Sequence, residues 1–133
     1  MSVKNCTISG NSATQGAFIY GGAQLRNTIL NVGSSGQNIF GTVTSLGYNL
    51  ASDNGGGFLT GPGDQINTNP MLGPLQHNGG PTLTHALLPG SPAINAGSPN
   101  FTPPPSFDQR GPGYARVVNG RIDIGPFEVQ NNP

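Results

Sequence analysis

The chain has 133 residues, of which 33% are hydrophobic, with 22 Gly, 13 Pro and five basic side chains balanced by five acidic ones. That length suits one compact domain, or a fragment of a longer modular chain, rather than two domains. A net charge of zero without a basic run leaves no electrostatic footprint for nucleic acid or an anionic membrane surface, and no apolar run approaches the roughly 20 residues of a membrane span. The Gly and Pro content borders on disorder, yet regularly scattered Ile, Val, Leu, Phe and Tyr in a neutral chain argue for packing.

The opening Met1-Ser-Val-Lys-Asn-Cys6 lacks the apolar core of a secretory signal, so export would rely on a signal outside this chain. Cys6 is the single cysteine, which excludes an internal disulfide and any Cys-cluster metal site; it reads as a small buried hydrophobe in a strand. Gly, Pro, Asn, Ser and Thr interrupt the chain too often for long amphipathic helices, so it reads as strands and turns.

Residues 1 to 52 carry an internal period. Asn5, Asn27 and Asn49 are spaced 22 apart, Ile8 and Ile29 are 21 apart, and Phe18-Ile19 recurs as Ile39-Phe40 after 21. Such a period fits one coil of a right-handed parallel β-helix, in which successive rungs stack about 4.8 Å apart. Inward aliphatic residues then pile on their counterparts, and Asn5, Asn27 and Asn49 are expected to form a side-chain ladder.

From 53 onward the rhythm gives way to turn signatures, Asp53-Asn-Gly-Gly-Gly57, Gly61-Pro-Gly-Asp64, Asn69-Pro70, Gly73-Pro74, Asn78-Gly-Gly-Pro81 and Pro89-Gly90. Short apolar pieces at 82–88 and 92–96 read as strands or single helical turns. Ser98 to Pro105 reads as a polyproline-like connector or surface loop. The division is therefore 1–52 for coils and 53–133 for a turn-rich region and capping hairpin of the same domain.

Six of the ten charged residues, Asp108, Arg110, Arg116, Arg121, Asp123 and Glu128, lie between 108 and 128. Within this stretch Asn119-Gly120 supplies two positive-φ residues for a type I′ hairpin turn. The implied register sets Val118 against Arg121, Val117 against Ile122, Arg116 against Asp123 and Ala115 against Ile124, with the apolar residues sharing one face. Opposite charges across a strand pair contribute up to about 1 kcal/mol, so the cluster reads as a structural latch rather than a catalytic site. Asp108, Arg110 and Glu128 are expected to add carboxylate–guanidinium contacts to it.

The run from Ser45-Leu-Gly-Tyr-Asn-Leu50, through Asn69-Pro-Met-Leu-Gly-Pro-Leu-Gln76, Asn78-Gly-Gly-Pro-Thr-Leu-Thr-His85 and Pro89-Gly-Ser-Pro-Ala-Ile-Asn-Ala-Gly97, to Asp108-Gln-Arg-Gly111 and Asp123-Ile-Gly-Pro-Phe-Glu128, resembles the choice-of-anchor Q domain. The resemblance implies the C-terminal part of an exported bacterial surface protein, preceded by parallel β-helix coils whose repeats look like Asn5-Cys-Thr-Ile-Ser-Gly-Asn11. It names no reaction. The chain departs from the family pattern in carrying only two or three coils, no export signal and no anchor.

The residue pattern gives catalysis little footing. Glycoside hydrolysis needs two carboxylates across a cleft and metal-assisted elimination needs several around Ca²⁺, yet residues 1 to 52 contain no Asp or Glu. His77 and His85 match no compact zinc motif. The Gly-rich turns at Asp53 and Asp64 leave Ca²⁺ as the sole cofactor to consider, without EF-hand or Gly-Gly-x-Gly-x-Asp spacing.

The expectation is an all-β, non-catalytic extracellular structural or adhesion module, with no cofactor and no nucleic-acid or membrane partner. Open solenoid ends expose unpaired backbone, so self-association end to end into filaments, or continuation from upstream coils, is expected there. The alternative is a carbohydrate-binding or carbohydrate-processing β-helix module with its ligand groove on the loops between 53 and 105.

Overall fold

The computed structural model describes residues 1–16, 19–20 and 22–130. The chain is all-β, with ten short strands and one 3-10 turn among the described residues. The first eight strands come in sequence as β1 (Ser2–Lys4), β2 (Thr7–Asn11), β3 (Ile19–Tyr20), β4 (Ala23–Arg26), β5 (Ile29–Val32), β6 (Ile39–Phe40), β7 (Val43–Ser45) and β8 (Leu50–Ala51).

Among the described residues they pair in parallel, in the orders β1-β4-β7, β2-β5-β8 and β3-β6. Each strand thus neighbours the one three elements later, the crossover pattern that the internal period demands. Thr7 aligns with Ile29 and Ile29 with Leu50, spacings of 22 and 21. At β3 the spacing is 20, since Ile19 faces Ile39 and Tyr20 faces Phe40. The expected match of Ile19 with Phe40 is therefore not formed, and that of Phe18 with Ile39 involves Phe18, which lies outside the described residues.

Apolar residues sit on both faces of the β2-β5-β8 sheet because both faces are covered. Leu30 and Ala51 join Ala23, Leu25, Ile39, Val43 and Leu59 in an inner cluster, with Val3, Ile8 and Phe58 at its margin. Their chain neighbours Ile29 and Leu50 point the other way, into a second cluster with Leu87, Ala93, Ile124 and Phe127. Alternation along a strand produces this division, and each fully buried Leu or Ile contributes about 1.5–3 kcal/mol.

The repetitive part runs slightly past residue 52. Leu50 bridges Gln65 in parallel, Tyr48 N–H donates to Pro62 O, and Thr68 N–H donates to Ala51 O, so 61–68 extend the parallel pairing beyond β8. Before it, the 3-10 turn Gly55–Gly57 is capped by the Asn54 side chain, which accepts from Gly56 N–H at 2.9 Å. Buried Leu59 and half-buried Phe58 follow and close this end of the inner cluster.

The rest of the chain covers the outer face of the sheet. Strands β9 (Leu72–Gln76) and β10 (Thr84–Leu87) form an antiparallel pair. The segment 92–96 is a turn rather than a strand, and it docks Ile122–Ile124: Ile124 N–H donates to Ala93 O and Gly97 N–H to Ile122 O, each at 2.9 Å.

The C-terminal hairpin is shorter than expected. Asn119 and Gly120 have φ of 59° and 80°, and Val118 pairs with Arg121, as the turn residues require. Beyond that pair the strands part. Ala115 pairs with Phe107, Arg116 N–H donates to Ser106 O and Asp108 N–H donates to Tyr114 O, so 114–116 lie against 106–108. The expected pairs of Arg116 with Asp123 and Ala115 with Ile124 are therefore not formed. The faces are also reversed at this point: Ala115 is exposed and Arg116 is buried.

Candidate functional site

The latch residues converge behind the parallel sheets. Arg110 meets Asp108 through Nε, at 3.2 and 3.1 Å from the two carboxylate oxygens, and through Nη2 at 2.7 Å. Its other bonds go to main-chain oxygens, Nη1 to Asn78 at 3.2 Å and Nη2 to Glu128 at 2.7 Å. The guanidinium is stacked between the rings of Tyr114 and Phe127, 4.0 and 3.9 Å from their centroids. One planar cation thereby fastens the 78–80 turn, the 108–114 loop and the C-terminal segment together.

Arg116 is the second cation, 1% exposed. Instead of the expected partner carboxylate of Asp123, its Nη2 bonds the Asp123 carbonyl at 3.2 Å, the Gly125 carbonyl at 2.8 Å and Asn5 Oδ1 at 3.5 Å. Burial lowers its pKa, opposed by the charges of Glu128, Asp108 and Asp123. The Asp123 carboxylate accepts from main-chain N–H groups, Asn95 at 2.7 Å and Val129 at 2.8 Å. Burial raises the pKa of Asp123 despite these bonds.

Glu128 is fully buried and accepts from Asp123 N–H at 2.8 Å. Burial pushes its pKa up to about 8. Arg121 stands apart from the ion cluster and donates through Nε to Gly97 O at 2.7 Å. Five of the six residues thus form one buried network, and the sixth ties the hairpin tip to the 92–97 turn.

The asparagine ladder has two rungs, not three. Asn27 Nδ2 donates to Asn5 Oδ1 at 2.9 Å and to Asp123 O at 3.1 Å. Both residues sit at left-handed corners, with φ of 53° and 51°. In the third repeat Tyr48 takes the left-handed position, with φ of 61°, which moves Asn49 one position on. Asn49 Oδ1 accepts from Thr28 N–H at 3.1 Å, and its Nδ2 reaches Leu25 O at 3.1 Å. Spacing did not reveal two further cross-rung pairs, Ser12 with Ser34 and Asn31 with Ser9.

Asp53 and Asp64 each accept hydrogen bonds from turns beside the parallel strands. Asp53 accepts from Asn38 N–H, Asn38 Nδ2 and Gly55 N–H. Asp64 accepts from Ser45, from both nitrogens of Asn49 and from Gly61 N–H. Among the described residues no group of three His, Cys, Asp or Glu side chains is placed to hold a metal ion. His85 Nδ1 bonds Gly73 O at 2.8 Å, and His77 is exposed.

The open feature nearest these residues is a groove of about 590 Å³ between Asn5–Ile8, the start of β10 and the segment 105–109. Leu75, Leu83 and Phe107 line it while remaining 57%, 45% and 44% exposed. Cys6 also lines it, lying between β1 and β2 rather than within a strand, half-buried, with its thiol donating to Lys4 O at 3.0 Å. Burial raises the Cys6 pKa, the opposite of what activates a nucleophile. No helix among the described residues is long and apolar enough to cross a membrane. Comparison with models of known protein families, with curated proteins and with solved structures finds no match.

Proposed function

We propose that this chain is a non-catalytic structural or adhesion module of an exported bacterial surface protein, built on a short right-handed parallel β-helix. The observation that carries this reading is the set of parallel registers in which Ile8, Leu30 and Ala51 align on one face and Thr7, Ile29 and Leu50 on the other. Stacking of that kind makes a rigid rod at little cost in sequence complexity, which suits a spacer or display element. The resemblance to the choice-of-anchor Q domain adds the extracellular setting.

The carboxylates of this chain are engaged internally rather than directed at a cleft. Each of the five accepts hydrogen bonds from main-chain or side-chain N–H groups of the chain itself. A general acid or nucleophile needs a carboxyl directed at a substrate across an open cleft.

A glycan array with a panel of plant and bacterial polysaccharides tests the proposal. Neither depolymerisation nor saturable binding is expected. Cleavage of any polymer would overturn the non-catalytic reading, and saturable binding at the groove would favour the carbohydrate-module alternative.

A further inference from the structure

We propose that the Asn119-Gly120 turn is a self-modification site, at which the folded chain exchanges the Asn119 side-chain amide for water and becomes isoaspartate. The site involves the hairpin tip alone and is independent of any role as a spacer or adhesion module.

The main-chain nitrogen of Gly120 is the nucleophile, and the side-chain carbonyl carbon of Asn119 is its target. The N–Cγ bond forms as the Cγ–Nδ2 bond breaks, and Nδ2 leaves as ammonia with the proton that Gly120 gives up. Water then opens the cyclic imide at either carbonyl. Opening at one side gives aspartate; opening at the other reroutes the main chain through the side-chain carboxyl and gives isoaspartate. Glycine favours the attack because no Cβ obstructs the approach of its nitrogen. Water is the only co-reactant.

Three Asn-Gly pairs occur in the chain, at 54–55, 78–79 and 119–120, and their surroundings differ. Gly55 is buried and its N–H donates to Asp53 Oδ1 at 2.9 Å, while Asn54 Oδ1 accepts from Gly56 N–H at 2.9 Å. Nucleophile and target are both committed elsewhere. Asn78 Nδ2 donates to Thr84 O and Thr84 Oγ1, each at 3.0 Å, and Gly79 lies so close to Tyr114 Oη that a Cβ has no room there. Turning the Asn78 amide toward Gly79 would strand the acceptors of buried Thr84. By contrast, Asn119 and Gly120 are both exposed, the space beside Gly120 is open, and neither the Asn119 amide nor Gly120 N–H is hydrogen-bonded among the described residues.

Attack requires rotation about the Asn119 Cα–C bond, which the type I′ geometry resists while the turn is closed. Little holds it closed. Val118 pairs with Arg121, the arms part beyond that pair, and Arg121 Nε donates to Gly97 O at 2.7 Å. The tip can therefore open while the buried network around Arg116 and Glu128 stays in place, and a local opening of this kind costs far less than global unfolding. Arg121 thereby becomes a positioning residue that sets how often the tip opens. Isoaspartate adds one main-chain carbon to the turn and one negative charge to a chain whose formal net charge is zero. Its carboxylate, two residues from Arg121, competes with Gly97 O for the guanidinium and loosens the tip from the 92–97 turn.

The test incubates the full chain in neutral buffer, folded and in parallel in urea, and follows each Asn-Gly peptide by mass spectrometry. Methylation by an isoaspartate-specific carboxyl methyltransferase identifies the product. In the folded chain Asn119 should convert about tenfold or more faster than Asn54 and Asn78, mainly to isoaspartate, and in urea the three rates should converge. Arg121→Ala should speed conversion at Asn119 severalfold and leave Asn54 and Asn78 at their wild-type rates. Gly120→Ala, which crowds the nucleophile, should slow conversion at 119 in urea as well as in the folded chain. Equal rates at the three folded sites, conversion led by Asn54 or Asn78, or a parallel rise at all three in Arg121→Ala would overturn the proposal. So would a folded Asn119 that persists for the whole time in which the urea-unfolded chain converts.

Discussion

Arg116 Nη1 stands 3.8 Å from Glu128 Oε2, and both side chains are fully enclosed. The pair is too long for a hydrogen bond, and Glu128 Oε1, Arg116 Nε and Arg116 Nη1 have no partner among the described residues. A carboxyl in that setting favours its neutral form, because desolvation outweighs a cation at this distance. The neighbouring Asp123 adds a repulsive charge on the same side.

This arrangement makes stability pH-dependent with a definite sign. Glu128 holds its proton up to about 8 when folded against an ordinary value of 4.5, so the folded chain binds more protons over that interval. Its contribution is fully present below 4.5 and is lost as the pH rises through about 8. Burial of Asp123 acts in the same direction. Thermal unfolding followed by circular dichroism should show a melting temperature that falls between mildly acidic and mildly alkaline conditions. Glu128→Gln, which keeps the shape and an acceptor for Asp123 N–H, should flatten the slope.

Removing Arg116 should be among the most damaging single changes. Arg116→Ala strands the Gly125 carbonyl, leaves the Asp123 carbonyl and Asn5 Oδ1 with only their bonds from Asn27 Nδ2, and removes the cation beside Glu128. Breaking a buried charged node of this kind costs about 3–5 kcal/mol, a large share of a small domain's stability. Arg121→Ala removes one bond to Gly97 O from a half-buried site and should cost roughly 1–2 kcal/mol. Urea unfolding of the two variants gives the comparison; equal losses would contradict the placement of Arg116 at the centre.

Arg110→Lys tests whether shape or charge fastens the C-terminal segment. Lysine preserves the positive charge beside Asp108 but cannot fill both the forked contact and the slot between Tyr114 and Phe127. A loss of roughly 1–3 kcal/mol is expected in urea unfolding.

Local chemistry was legible in the sequence and long-range partnership was not. Asn119-Gly120 announced its turn because φ preference belongs to the residues themselves. A two-residue turn secures only its nearest pair, however, and beyond Val118 and Arg121 each arm finds a better neighbour, 106–108 for one and 93–97 for the other. Period counting placed Asn5 on Asn27. It misplaced Asn49 because the repeat is one residue shorter from Ile29 to Leu50 than from Thr7 to Ile29, which hands the left-handed position to Tyr48. The charge cluster was visible as a group, but its habit of using main-chain carbonyls and N–H groups leaves no pattern in residue spacing.

The ladder corner separates backbone strain from side-chain bonding. Asn27 combines a φ of 51° with bonds to Asn5 and to Asp123 O. Asn27→Gly removes the bonds and keeps the corner free of strain, whereas Asn27→Ala removes the bonds and adds about 1–2 kcal/mol for a left-handed alanine. Differential scanning calorimetry should rank wild type above glycine and glycine above alanine. Equal melting of the two variants would mean that the corner relaxes to another conformation.

Asp64 distinguishes a hydrogen-bonded turn from a calcium loop. Its two oxygens already receive Gly61 N–H, Asn49 N–H, Asn49 Nδ2 and the Ser45 hydroxyl, which leaves little lone-pair capacity for an ion. Asp64→Asn turns one acceptor into a donor facing those N–H groups. The conflict should cost about 1–3 kcal/mol and loosen the 61–68 segment first, seen as faster amide exchange at Tyr48 and Ala51, whose N–H groups that segment accepts. A bound ion would instead stabilise the folded chain in proportion to the logarithm of its concentration. Melting temperatures measured in EDTA and in excess calcium are expected to coincide, and a rise with calcium that Asp64→Asn abolishes would make this turn an ion site.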